Sequence, residues 1–410
     1  MYFAIIIPIL LVTYLLIFHR KKIVWWEIIL PFVVTIITIS ICQFVAYKSA
    51  ISDVEYLGHM VVKAVHEEPM AYDSTCTETY ACGTDSEGNT TWCTRSYPCV
   101  RDASRETYFV LDNGDSIGID LETYNKYESL WKKYHYKKGV RVIEGEHGDK
   151  YNRPGYGSVH ECEWNGKIEN SVPVSERTHY DNFIQASKSL YNPRDISERE
   201  LQNYKLFDYP KGNGENPIIA ADDKMVYPMA LKRLQYANGW LNTTMGGMKK
   251  VRLWVLMYRN QPAEIAEMQK VYWKNGNKNE FIIMLNVDDN YNLTWFDIMT
   301  WSEKEDTKIL VRNYIAPLRG KRLDNQTMTN FAVFLQDTIQ KSYLKPSFKK
   351  YSYLNIPPSM TAIVISWIIV LLVCVGTGFF VILNDIDNED NNKPSIPNRP
   401  NIRPGRYMRY

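Results

Sequence analysis

The sequence lacks the short motifs by which many enzymes are recognised. Its 410 residues contain no nucleotide-binding loop, no internal repeat and no convergent set of nucleophile, base and metal ligands. It also lacks a strong excess of one charge, since 48 Lys and Arg residues are balanced by 46 Asp and Glu residues. We expect no nucleic-acid partner and no cofactor beyond the divalent cation considered below. The sequence therefore indicates where the protein lies more clearly than what it does.

Three long apolar runs stand out from this ordinary composition, at Tyr2–Phe18, Ile23–Ala46 and Met360–Leu383. Glu27 is the only charged residue within them. A core helix of a soluble protein carries a polar stripe, and none of these runs has one. A bilayer core of about 30 Å requires roughly 20 apolar residues in a helix. The sequence therefore predicts three transmembrane helices, at 2–18, 23–46 and 359–383.

The charges beside the first run predict the orientation of these helices. Residues 19–22 read His-Arg-Lys-Lys, and short loops rich in Lys and Arg stay in the cytoplasm. A cleaved signal peptide would carry its charges before the apolar run rather than after it. We expect a retained multi-pass membrane protein with its main body, from residue 49 to 358, outside the cytosol. The tail at 384–410 would be cytoplasmic, and its polar, proline-rich composition is typical of disorder.

Four of the seven cysteines lie close together, at Cys76, Cys82, Cys93 and Cys99, spaced symmetrically about Glu87-Gly88. This symmetry predicts an antiparallel hairpin in which Cys76 faces Cys99 and Cys82 faces Cys93. Directly opposed strand residues have Cα atoms about 4.5–5.5 Å apart, which suits a disulfide. A zinc site is less favoured because six strand residues span roughly 20 Å and no tight Cys-x2-Cys pair is present. Two disulfides would agree with an oxidising, extracytoplasmic compartment.

The body is predicted to contain two folded domains. Residues 49–192 have the alternation of strands, with one helix at Leu121–Tyr134, and residues 193–222 are rich in Pro and Gly, like a linker. Residues 223–345 follow the order α-β-α-β-β-α-α of a compact α/β domain, with a capping box at Ser302–Glu305, and 346–358 are juxtamembrane. The predicted fold class is an α+β membrane protein with three transmembrane helices, a disulfide-stapled β-rich outer domain and a compact α/β outer domain.

Candidate metal ligands are few. Asp288 and Asp289, with Asn290 and Asn292, offer oxygen atoms to a divalent cation, although the same residues favour a tight hairpin turn. His160 and Cys162 would share a strand face but lack evident further ligands. Another acidic cluster carries the same two interpretations: Glu144, Glu146, His147 and Asp149. No catalytic residue is predicted.

Two stretches resemble known proteins. Asp53-Val-Glu55 with Gly58, followed by the cysteine hairpin, resembles a group of uncharacterised predicted membrane proteins encoded by large tailed bacteriophages. Residues 250–343, including Tyr272–Leu285, are more distantly similar to the TPM domain, an extracytoplasmic α/β module. The first resemblance implies only a membrane protein of unknown role. The second implies an α/β module that in some proteins is a phosphatase or a metal binder, but the acidic residues of that site do not align with this sequence.

These patterns favour a non-enzymatic envelope protein whose outer domains bind another protein or another component of the envelope, while the bilayer holds its helices. An alternative is a membrane-tethered, metal-dependent hydrolase, phosphatase-like, acting through Asp288 and Asp289. A further alternative is a structural component of a virion membrane.

Overall fold

The computed structural model describes residues 2–18, 25–67, 71–84, 90–102, 106–144, 150–191, 194–210 and 216–391. The chain forms two compact units, which we name and describe separately. The helical unit contains Met1–Ser52, Asp181–Tyr191 and Lys349–Tyr410. The sheet unit contains Asp53–Tyr180 and Asn192–Phe348.

The helices are, in chain order, α1 (Ile6–Phe18), α2 (Trp25–Ile51), α3 (Leu121–Trp131), α4 (Phe183–Ser187), α5 (Glu198–Tyr204), α6 (Pro228–Trp240), α7 (Glu264–Tyr272), α8 (Glu305–Ile315), α9 (Asn325–Ser342) and α10 (Met360–Asn391). The strands are β1 (Ser52–Glu67), β2 (Ala71–Thr84), β3 (Thr90–Asp102), β4 (Glu106–Leu111), β5 (Ser116–Gly118), β6 (Tyr134–Glu144), β7 (Lys150–Glu163), β8 (Pro173–Asp181), β9 (Ile218–Ala220), β10 (Arg252–Arg259), β11 (Glu280–Val287) and β12 (Leu293–Thr300).

In the helical unit, α1, α2 and α10 pack around a small apolar core formed by Ala4, Ile39, Val370 and Cys374. The Thr35 hydroxyl on α2 lies 3.2 Å from the Cys374 sulfur on α10. Two helical segments, Trp25–Ile51 and Met360–Leu383, are long and apolar enough to cross a membrane by length and composition.

The prediction of three spanning helices is wrong for the first apolar run. That run begins as a 3-10 turn at Tyr2–Ile5, and α1 contains only 13 residues. At 1.5 Å per residue α1 is about 20 Å long, which is short of the roughly 30 Å core of a bilayer. The apolar composition of this run did not indicate that the regular α-helix begins only at Ile6.

Within the described residues, the sheet unit contains three sheets. A six-stranded sheet has the order β5-β4-β1-β7-β6, with β8 pairing to β1, and its core includes Phe109, Trp131 and Cys162. A four-stranded sheet has the order β12-β11-β10-β9, and β2 pairs with β3 as a separate two-stranded ribbon. The predicted helix over Leu121–Tyr134 is α3, which begins at the Asp120 cap and ends where Lys132 adopts a left-handed conformation.

The four-stranded sheet confirms the predicted order of elements, as α6, β10, α7, β11, β12, α8 and α9 follow one another. Strands β9, β10 and β11 are parallel and β12 is antiparallel. Alternate side chains of β10 and β11 face opposite layers: Val255 packs with α6, α8 and α9, whereas Trp254 packs with α7 and the segment near Phe207. Strand β9 was not predicted, because its three residues lie within a Pro- and Gly-rich stretch.

The predicted capping box at Ser302–Glu305 is wrong. Helix α8 begins at Glu305 after Lys304, without a side-chain cap. The Ser302 hydroxyl instead donates to the Leu344 carbonyl at 3.3 Å, which joins the end of β12 to the segment after α9. Ser302 therefore makes a tertiary hydrogen bond and does not cap α8.

The first strand of the six-stranded sheet is held to the four-stranded sheet by buried polar contacts. The Glu55 carboxylate on β1 lies 3.1 Å from Lys278 and 3.4 Å from Lys345, and its side chain is 6% exposed. Nearby, the Asn279 side-chain amide donates to the Tyr56 carbonyl at 2.8 Å. These contacts bring residues distant in the chain into one folded body.

Candidate functional site on the disulfide ribbon

The described side chains of strands β2 and β3, which we call the ribbon, form no hydrophobic core of their own. Among the described strands they pair only with each other. Their described side chains are all exposed, apart from Cys76 and Cys93, which are half-buried. An isolated two-stranded hairpin is marginally stable in water, so the ribbon depends on a constraint other than burial.

That constraint is the disulfide between Cys82 and Cys93, whose Cα atoms are 5.6 Å apart. The predicted pairing of these two cysteines is confirmed. Cys76 is also disulfide-bonded, while the side chain of its predicted partner Cys99 and the predicted turn at Glu87-Gly88 lie outside the described residues. The pairing of Cys76 with Cys99 therefore stays a prediction.

The predicted register of the ribbon is wrong. Cys93 faces Tyr80 rather than Cys82, and Cys76 faces Tyr97. The register shifts between Ala81 and Gly83, which leaves Cys82 as the extra residue of a bulge. A disulfide accepts Cα separations of roughly 4.4–6.8 Å, so cysteines joined diagonally also satisfy its geometry. The symmetrical cysteine spacing thus predicted the Cys82–Cys93 bond correctly, but it did not predict which residues of the two strands lie opposite each other.

Directly opposed residues of the ribbon project on the same face, so one face carries an aromatic and charged set. Arg95 lies opposite Glu78 and donates to its carboxylate at 3.0 Å. The Arg95 guanidinium also lies 5.4 Å from the centre of the Tyr80 ring. Tyr97 lies further along this face and is 43% exposed. Arg95 therefore shares this face with two exposed aromatic rings, those of Tyr80 and Tyr97.

The other face carries Trp92, which is 65% exposed. It lies opposite Ala81, and the next rungs on this face pair Thr79 with Thr94 and Thr77 with Ser96. Trp, Tyr and Arg are the residue types that most often dominate the binding energy of protein interfaces. A disulfide-held ribbon presents them without a large loss of conformational entropy on binding.

Asp288 and Asp289 lie in the predicted turn between β11 and β12, and their carboxylates accept hydrogen bonds from different residues. Both oxygens of Asp288 accept from the turn: Oδ1 from the Asn290 and Asn292 amides at 2.8 Å each, and Oδ2 from the Asn292 side chain at 3.0 Å. These hydrogen bonds, led by those from Asn292, hold the pKa of Asp288 below its usual range. Asp289 accepts from Asn260 at 2.6 Å and from Arg259 at 3.3 Å.

A further acidic residue, which the sequence did not predict, lies beside this turn. Asp222, which follows β9, pairs with Arg259 at 2.7 Å and accepts from the Tyr291 hydroxyl at 3.1 Å. A guanidinium therefore lies between Asp222 and Asp289, at the carboxyl end of the parallel strands where open α/β sheets commonly bind ligands. Recognition of β9 as a strand would have pointed to Asp222.

The remaining sequence candidates lie apart from this set. His160 faces His66 across β1 and β7, with ring centres 6.2 Å apart, and Cys162 is fully buried. The Glu144 side chain and residues 145–149 lie outside the described residues. Within the described ranges, no group of three or more His, Cys, Asp and Glu side chains is arranged to hold a metal ion.

No family model, curated protein or solved structure matches this chain. Its function is therefore inferred from the arrangement of its own residues.

Proposed function

We propose that this is an integral membrane protein whose sheet unit lies outside the cytosol and binds another envelope protein through the ribbon. The observation that carries the membrane assignment is the exposure of the two long apolar helices. Only 17% and 22% of the residues in their most apolar windows are buried. Helices from the core of a soluble protein are mostly buried, whereas extended exposed apolar faces are expected where lipid or another protein covers them.

Many of the exposed side chains of α2 and α10 are large and apolar. They include Ile36, Ile37, Ile41 and Phe44 on α2, and Leu371, Leu372, Phe379 and Phe380 on α10. Between the helices, contacts are close and use small residues: a side chain at Gly378 would begin 3.0 Å from Leu11. Small residues between helices and large apolar residues outside them are typical of membrane bundles.

The Cys82–Cys93 disulfide supports an extracytoplasmic sheet unit, since disulfides persist mainly in oxidising compartments. The basic residues 19–22, on which the predicted orientation depends, agree with that side but lie outside the described residues. The resemblance to phage-encoded membrane proteins suggests the envelope of an infected cell as the setting.

The membrane assignment and its orientation are tested in intact cells that express the full chain. We expect the protein to stay in the membrane fraction after alkaline carbonate extraction. A membrane-impermeant maleimide should label Cys82 and Cys93 only after an impermeant reductant has been added. Release by carbonate would contradict membrane insertion, and labelling that requires cell lysis would contradict the proposed orientation.

The binding role of the ribbon is tested by placing a photo-crosslinking amino acid at position 94, beside Trp92 on the same face. We expect a discrete cross-linked product in native membranes, and we expect Trp92→Ala to reduce it at least tenfold. Met245→Ala is the matched control, because Met245 is 74% exposed but lies away from the ribbon in sequence. A product that is absent, or unchanged in Trp92→Ala, would remove the ribbon as the binding element.

The alternative of a metal-dependent, phosphatase-like hydrolase using Asp288 and Asp289 has less support, because both carboxylates already accept hydrogen bonds from the protein. It predicts hydrolysis of a generic phosphoester with Mg²⁺ or Ca²⁺ by the purified chain and loss of that activity in Asp288→Ala. A role as a structural virion membrane component predicts stoichiometric amounts in purified particles.

A further inference from the structure

The sheet unit contains a cavity of about 320 Å³ between α6 and residues 171–175, which include the first residues of β8. Tyr127 of α3 and Pro217, just before β9, complete its lining. This volume is at the lower end of the range for small-molecule sites, about 300–1,000 Å³. The cavity shares no lining residue with the ribbon or with the Asp222–Arg259–Asp289 set.

The cavity is preformed, because α6 is fixed against β1 by two close backbone approaches. A Cβ atom at Gly58 would lie 1.9 Å from the Asn238 carbonyl oxygen, and one at Gly239 would lie 2.4 Å from the Met60 sulfur. Only glycine permits these approaches. The helix face that lines the cavity is therefore held in place before any ligand arrives, which reduces the entropic cost of binding.

That helix face brings a positive charge to the cavity. Lys232, Gln235 and Gly239 are spaced so that they share one side of α6. The Lys232 ammonium donates to the Ser171 carbonyl at 3.1 Å. Among the described side chains, no carboxylate forms an ion pair with it. Its nearest described partner is thus a neutral oxygen, although an ammonium has three hydrogens to donate.

In the absence of a ligand, the surroundings disfavour the protonated ammonium of Lys232. Burial lowers the pKa of Lys232, and the nearby positive charge of Lys126 lowers it further, against a smaller opposing effect from Glu169. A bound anion would offset both effects, because an opposite charge favours the protonated ammonium. A partly buried lysine beside a preformed cavity is a common feature of ligand sites.

We propose that this cavity binds a small oxyanion, a phosphate or carboxylate group, through the ammonium of Lys232. Ser175 also lines the cavity, and a serine hydroxyl is a neutral donor suited to an oxyanion. The site is independent of the proposed membrane and ribbon functions, so the two proposals can fail separately.

The test is calorimetric titration of the full chain in detergent with inorganic phosphate and, separately, with acetate. We expect saturable binding of at least one of them, at least tenfold weaker in Lys232→Met and unchanged in Lys341→Met, an exposed lysine of α9. Tighter binding of one anion would identify the oxyanion type. Absence of saturable binding by both anions, or equal binding by Lys232→Met, would overturn the proposal.

A second measurement does not depend on a variant that must fold. Acetylation of lysines in the wild-type chain by an amine-reactive ester is followed by mass spectrometry, with and without saturating anion. We expect the anion to slow modification of Lys232 at least fivefold and to leave Lys341 unchanged. Equal modification of Lys232 in both conditions would overturn the proposal. Lys232→Arg, which keeps the charge, should bind the anion more tightly than Lys232→Met.

Discussion

Strand β11 is buried along its whole length, whereas every described side chain of the ribbon is exposed or half-buried. Both regions are paired β-strands, but they are stabilised by different means. In the four-stranded sheet, apolar side chains on both faces, such as Phe281 on one and Ile282 on the other, are removed from water, and this is the dominant stabilising term in folding. In the ribbon, the Cys82–Cys93 bond instead reduces the conformational entropy of the unfolded chain.

This difference indicates that one region stabilises the fold and the other is free to carry residues for recognition. The buried sheet can change little without loss of packing, because protein interiors are close-packed. The ribbon can exchange side chains with little loss of packing, since nearly all of its described side chains are exposed. A covalently held ribbon is therefore a suitable place for residues that bind a partner, and the buried sheet is a suitable place to support it.

The largest effect should come from truncation of the buried sheet. Phe281 has no exposed surface and its ring contacts that of Tyr343. Phe281→Ala should lower the free energy of unfolding by about 3–5 kcal/mol, through lost burial and the cavity left behind. The matched change in the ribbon, Trp92→Ala, should cost less than about 0.5 kcal/mol.

Hydrogen exchange of β10 and β11 amides in the full chain measures both variants. Equal losses of protection would show that the ribbon contributes to the core, which would remove the distinction between the two regions. A Phe281→Ala protein with unchanged protection would show that the buried sheet adapts more readily than its packing indicates.

The second effect should be confined to the ribbon. The double variant Cys82→Ser, Cys93→Ser removes a bond between residues 11 apart, and loop-closure entropy gives this bond a contribution of about 3 kcal/mol. We expect fast exchange of β2 and β3 amides and unchanged exchange of β11 amides. Loss of protection in β11 would mean that the ribbon and the core unfold together.

A third, smaller effect compares buried and exposed ion pairs. Glu55→Gln weakens the contacts of a nearly buried carboxylate with Lys278 and Lys345. It should cost about 2 kcal/mol, since Lys345 is partly exposed and solvent screens part of the interaction. Glu78→Gln is the matched control, because the pair of Glu78 with Arg95 in the ribbon is exposed and should contribute little.

Urea unfolding of the two variants in one detergent measures this third difference. If Glu78→Gln destabilises the chain as much as Glu55→Gln does, burial does not determine the value of these ion pairs. If neither variant changes the midpoint, the Glu55 contacts position β1 without stabilising it.

The sequence predicted most of the four-stranded sheet because its elements are long and strongly periodic. It missed β9, since a three-residue strand has no detectable period, and so it missed Asp222. It predicted the Cys82–Cys93 bond from spacing, but it could not detect the bulge at Cys82, because the register depends on backbone geometry rather than on residue type. The Glu55 contacts were also beyond its reach, since the partners lie more than 200 residues away in the chain.

The smallest effect concerns reactivity rather than stability. Burial raises the pKa of the Cys162 thiol to about 11, so at pH 8 only about a thousandth of it is the reactive thiolate. After mild reduction at that pH, alkylation followed by peptide mass mapping should label Cys82 and Cys93 well before Cys162. Labelling of Cys162 should rise about tenfold per pH unit towards pH 11, because deprotonation limits it. Labelling of Cys162 at the same rate as Cys82 in the folded protein would show that the six-stranded sheet opens as easily as the ribbon, and the contrast between a buried body and a covalently held ribbon would then fail.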